Sequence, residues 1–101
     1  MTKHAKTAAL VGTHVETLSL GPHVVEVWEV PGLLDEDGES LHGCWDPNSK
    51  IILINGSDQP AVKTTTLLHE KLHAISDTYG LGLDEQAVAT LEAGLYQMGT
   101  R

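Results

Sequence analysis

One cysteine, no phenylalanine and 4% aromatics leave this 101-residue chain without an internal disulfide and with a core that must be aliphatic. Cations are scarce as well. Six Lys and Arg stand against fourteen Asp and Glu, a formal charge of −8 that repels phosphate backbones and anionic lipid surfaces, so nucleic acid and membranes are not expected partners. No apolar run reaches the length of a membrane span, and the apolar-leaning stretch at residues 8–12 is too short for the hydrophobic region of a secretion signal. Together with the lone Cys44, these absences set the expectation of a soluble cytoplasmic protein.

What remains is a globular balance, 41% hydrophobic and 20% charged, in a chain long enough for one domain over residues 1–101 and no second lobe. Residues 1–13 lack a clear period and are expected to include a loose arm. The core is thin, so a bound metal or a partner subunit is a sensible supplement; the oligomeric state is left open by the sequence.

Residues 14–20 (HVETLSL) and 23–30 (HVVEVWEV) are rich in β-branched residues and are bounded by Gly21-Pro22 and Pro31-Gly32, which predicts two short strands joined by a turn. After an acidic loop at 33–40, the stretch from Leu41 and the run Lys50-Ile-Ile-Leu-Ile54 flank Asp46-Pro47-Asn48-Ser49, which predicts a hairpin with a four-residue connection and a doubly covered strand at 51–54. A helix is predicted over 60–79, capped by Ser57 or Asp58 and with Pro60 in its first turn. With His69 at 0° and about 100° per residue, Ala61, Leu68, Leu72, Ile75 and Tyr79 share an arc of about 60°, the expected core face. A glycine break at 80–83 precedes a second helix with Asp84 as N-cap and Val88, Leu91, Leu95 and Met98 on its inner side, and Gly99-Thr-Arg101 is expected to fray.

His69-Glu70-Lys71-Leu72-His73 reads HExxH in the middle of the first helix. Residues i and i+4 differ by about 40° around the axis, so both imidazoles leave one face a turn apart and can bind one tetrahedral ion. Glu70, about 100° round the wheel, sits beside them and can reach a metal-activated water without ligating the metal, while Lys71, at about 200°, is expected to point to solvent. From composition, about 0.02 chance occurrences of the three fixed letters are expected, so accident is a weak explanation. Zinc lowers the pKa of a bound water towards about 7, and an adjacent carboxylate can take its proton and deliver it to a leaving amine.

A hydrolytic site of this kind takes a third protein ligand. Glu85 and Glu92, seven residues apart and on the helix face of Val88, are candidates, as are the other histidines. A second helix returning from a tight turn near Leu81 would bring Glu92 opposite His73. An extended connection over 80–83, spanning roughly 13 Å, would instead bring Glu85 beside the metal.

The block Thr66-Leu-Leu-His-Glu-Lys-Leu-His-Ala-Ile, the later Leu83-Asp-Glu-Gln-Ala-Val-Ala-Thr-Leu and, more weakly, His42-Gly-Cys-Trp-Asp-Pro resemble the gluzincins, in particular the compact ImmA/IrrE-like and phage-encoded minigluzincin zinc peptidases. The resemblance spans roughly residues 23–98. It implies an α+β zincin-like minidomain, a small twisted sheet packed on the HExxH helix and followed by a second helix, in a phage or bacterial protein. It further implies zinc-dependent hydrolysis of a peptide or protein substrate, with His69, His73 and Glu85 as ligands and Glu70 as general base; Glu92 stays the alternative third ligand on the tight-turn geometry. An edge strand, residues 50–54 or its neighbour, would align the substrate.

Other features read more plainly. Asp35-Glu-Asp-Gly-Glu39 lacks calcium-loop spacing and is expected to be a solvated acidic loop. His42 and Cys44 alternate on a presumed strand, where a soft metal pair is weighed against a satisfied histidine beside a buried thiol. His4, His14 and His23 are expected at the surface or at strand ends, and Trp28 and Trp45 as core or half-covered, with a substrate-wall role for Trp45 as the lesser reading. Two further functions stand against the peptidase: a zinc-stabilised regulatory or interaction module without turnover, and a metal-free helical-hairpin adaptor.

Overall fold

A computed structural model describes residues 12–100. Most of the expected loose arm, and His4 with it, lie outside the described residues, as does Arg101. The order is β1 (Thr13–Leu20), β2 (His23–Val30), β3 (Gly43–Asp46), β4 (Ile51–Asn55), α1 (Pro60–Tyr79) and α2 (Glu85–Gln97), an α+β fold with a four-stranded mixed sheet and two helices. β1 therefore begins inside the segment expected to be loose.

The sheet runs β1-β2-β4-β3. β1 and β2 form an antiparallel hairpin closed at Gly21, whose φ of 60° a side chain would resist. β2 and β4 are parallel, and β3 returns antiparallel along β4. Ile52, Leu53 and Ile54 are buried because β4 is central, with one face in a cluster with Val25, Val27, Trp45 and Ala74 and the other with Val30, Leu33 and Cys44. Lys50 does not begin the strand. It takes φ 56° and donates its amide to Asp46 O, closing a turn that Asp46 Oδ1 starts by accepting from Asn48 N.

α1 has the expected bounds but not the expected cap. Its N-cap is Gln59, with no side-chain cap bond, because Asp58 bonds His42 and Ser57 Oγ accepts from Gly32 N instead. Leu68 and Leu72 are buried as the wheel requires, whereas Ile75 and Tyr79 are exposed. The reason is that α1 packs on the β3/β4 half of the sheet and on α2 at once, so Ala74, on the opposite side of the wheel, joins the sheet core. Ile75 is left bordering a groove of about 210 Å³ with Leu18, Leu20 and Val25. Lys71 does not run free into solvent; its Nζ lies 3.7 Å from Glu16 on β1.

Asp84 caps α2 as expected, its side chain accepting from Ala87 N. Of the inner residues expected there, Val88 is fully buried, Leu95 half-buried, and Leu91 and Met98 exposed, so α2 is held to α1 over its first turns only. The acidic loop is more structured than expected. Asp35 is buried and its Oδ1 accepts from Asp37 N and Glu39 N. No helix among the described residues is long and apolar enough to cross a membrane.

Candidate metal centre

α1 ends in a left-handed Gly80, and Leu81 N and Leu83 N are held by the backbone oxygen and hydroxyl of Ser76. The non-helical connection this pins down starts α2 beside the middle of α1 rather than beyond its end. Both glutamates of α2 consequently reach His69, each through a different nitrogen.

Glu85 Oε1 lies 2.6 Å from His73 Nε2, and its Oε2 lies 3.2 Å from His69 Nε2. The two imidazole Nε2 atoms are 3.3 Å apart, with the rings edge to face. These three donors form one cluster within 4.8 Å. Glu92 stands behind it: its Oε1 is 2.8 Å from His69 Nδ1. A carboxylate only accepts, so Nδ1 is the donor to Glu92 and Nε2 is the nitrogen that faces the cluster, as in sites where a carboxylate orients a metal-binding imidazole.

The donor set could hold a metal ion. Two imidazole nitrogens and a carboxylate are a known hydrolytic ligand set, and tetrahedral bonds of 2.0–2.1 Å separate ligand atoms by about 3.3 Å. His69 Nε2 stands at 3.3 and 3.2 Å from the other two donors, while His73 Nε2 and Glu85 Oε1 are closer, at 2.6 Å.

Glu70 lines the same cleft without joining the cluster. It is 5% exposed, and its Oε1 has no hydrogen-bond partner. Burial pushes its pKa up to about 7; His69 opposes the rise, and the charges of Glu85 and Glu92 add to it. For His69 burial acts downward, but the bond to Glu92 and the charges of Glu70, Glu85 and Glu92 outweigh it, leaving the pKa raised. An orphaned buried carboxyl poised near neutrality is suited to receiving and returning a proton.

These residues line a cleft of about 450 Å³. One wall is Leu41, His42 and Gly43, at the entry to edge strand β3; the other is α1 from Thr65 to His73, with Glu85 and Glu92 closing one side. Gly43 lets the walls come close, since a Cβ there would lie 2.6 Å from Thr66 Cγ2 and 2.8 Å from Leu53 O. His42 and Cys44 go separate ways: Cys44 is buried with Val30, Leu33 and Leu53, while His42 is exposed and its Nδ1 meets Asp58 Oδ2 at 2.8 Å. Trp45 is core, its Nε1 donating to Asp77, and does not line the cleft.

Sequence reasoning missed the Asp58 partner of His42 and the wall at Thr65 and Thr66, neither of which obeys any spacing rule. The outer role of Glu92 was within reach, because the seven-residue interval places it on the face of Glu85. No protein-family model, curated protein or solved structure matches this chain.

Proposed function

We propose that this chain is a zinc-dependent peptidase with a zincin-like, gluzincin-type site. The observation that carries the reading is the buried Glu70 carboxyl, its Oε1 unpartnered, beside a cluster of His69, His73 and Glu85 donors that lie within 4.8 Å of one another. In this reading His69, His73 and Glu85 hold the zinc, and Glu92 fixes the ring of His69 from behind. The ion supplies Lewis acidity to a water and to the scissile carbonyl. Glu70 takes the proton of the attacking water and returns it to the leaving nitrogen as the C–N bond breaks.

A substrate strand has one place to pair near the cluster. β4 is hydrogen-bonded on both sides, which excludes residues 50–54 as the aligning edge; β3 ends the sheet order and borders the cleft.

The exposure of Leu91 and Met98 favours a second reading, a zinc-stabilised module without turnover, because α2 then depends on the ligand carboxylate for its place. Metal analysis together with a peptide-cleavage screen of wild type and Glu70→Gln separates them. The peptidase reading requires about one zinc per chain in both proteins and cleavage by wild type only. Zinc without cleavage by either supports the module, and no zinc in either sinks both.

A further inference from the structure

Histidines apart, the cleft is one-sided in charge. Its lining includes Glu70, Glu85 and Glu92 and no Lys or Arg. The third histidine of the lining, His42, is bonded to Asp58, which sets a further carboxylate at the rim, and its Nε2 has no hydrogen-bond partner among the described residues. The chain enters this wall from the acidic loop, where Glu36, Asp37 and Glu39 are exposed. Glu39 precedes Leu41 by two residues, within about 7 Å along the chain. The cations of α1 are committed elsewhere, Lys63 to Glu29 at 3.1 Å and Lys71 to Glu16 at 3.7 Å.

A second observation, the missing partner of Glu70 Oε1 rather than its charge, also asks for a donor. Glu70 lines the cleft, is 5% exposed, and has an oxygen with nothing to accept from. Buried acceptors left unpaired are costly, so a ligand that brings N–H groups is the kind this wall receives best.

We propose that the cleft takes cationic peptide segments, those carrying Lys or Arg side chains, in preference to neutral or acidic ones. The inference rests on the peptidase reading for the fate of the bound peptide, but recognition is a separate property with its own readout. A divalent ion at the cluster offsets two of the lining charges. Asp58, the acidic loop and the net charge of −8 remain, and a cleft lined by one sign concentrates ligands of the other.

The test uses short fluorescein-labelled peptides in which alanine alternates with lysine, serine or glutamate. Binding is read by anisotropy on the metal-free wild-type chain and again with zinc on Glu70→Gln. The lysine peptide is expected to bind roughly tenfold tighter than the serine peptide, with the glutamate peptide weakest, and the gap should narrow as salt shortens the screening length. Glu39→Gln with Asp58→Asn should reduce the preference several-fold, whereas the same loss of two charges outside the cleft, Glu16→Gln with Glu26→Gln, should leave it. Equal binding of the three peptides overturns the proposal. So does an equal effect of the two double variants, which would mean attraction to an acidic surface at large. Cleavage followed by mass spectrometry separates the two ideas: lysine-selective binding without cleavage refutes the peptidase and keeps this inference, and indifferent cleavage of all three peptides does the reverse.

Discussion

His69 and Glu92 meet through the ring nitrogen opposite the one that faces Glu85, with Nδ1 and Oε1 2.8 Å apart. One imidazole therefore joins two glutamates that are seven residues apart on α2. If Glu85 is the ligand and Glu92 the orienting partner, their substitutions should differ in scale. Glu92→Ala should weaken zinc roughly 10–100-fold, the usual consequence of losing an outer hydrogen bond. Glu85→Gln should cost more, because it removes a charged donor from the cluster itself. Competition against a chromogenic chelator measures both, and a larger loss in the Glu92 variant would exchange the two roles.

Metal and fold should be coupled, because the candidate ligands come from two helices and α2 buries Val88 alone. Zinc at a thousandfold above its Kd contributes about 4 kcal/mol. In a domain of this size that corresponds to a thermal midpoint higher by on the order of 15 °C or more. The shift should vanish in His69→Ala/His73→Ala, which should also lose stoichiometric metal. An equal shift in that double variant would place the ion elsewhere.

Without metal, Glu70 should make stability fall as pH rises. Its pKa is about 7 in the folded chain against an ordinary 4.5, so between these values the native state holds the proton more tightly than the unfolded state. Below about pH 4.5 both states are protonated and nothing is lost; above about pH 7 the full cost of the buried charge is present, a few kcal/mol at most. His69, whose pKa is also raised, acts in the same direction, since its stabilising charge is lost as pH climbs through the folded value. Urea midpoints in chelator should therefore drop across this window for wild type and drop less for Glu70→Gln. Parallel curves would remove Glu70 as the cause.

Much of this was legible in the sequence. Turn residues at 21–22, 31–32 and 46–49 delimit the strands, and the HExxH spacing places both imidazoles on one side of α1. The wheel failed at Ile75 and Tyr79 because it assumes a single buried face, whereas α1 is pressed between a sheet and a helix. It failed again at Leu91 and Met98, which stay exposed although Glu92 and Leu95 between them are half-buried. Which of Glu85 and Glu92 meets both imidazoles turned on the path of four residues, 80–83, and that path depends on Ser76 holding Leu81 and Leu83, a detail no periodicity contains.

Gly43 is where fold and site share one atom's worth of space. A methyl group there would meet Thr66 Cγ2 at 2.6 Å and Leu53 O at 2.8 Å, and neither can move aside easily. Thr66 is β-branched in a helix, with its rotamer restricted, and the Leu53 carbonyl belongs to central strand β4. Gly43→Ala should accordingly cost about 1–3 kcal/mol, the range for overpacking, and should push β3 from α1 across the cleft. Adding Thr66→Ser removes the Cγ2 contact but leaves the carbonyl, so the double variant should recover part of the loss and no more. Urea unfolding of the three proteins decides it. A neutral Gly43→Ala would show that β3 can slide outward freely, and full recovery in the double variant would show that the carbonyl contact costs nothing. If partial recovery is seen, the peptidase proposal further expects cleavage to rank in the same order, wild type above the double variant above Gly43→Ala, because the wall that would close on a substrate is the wall the added methyl displaces.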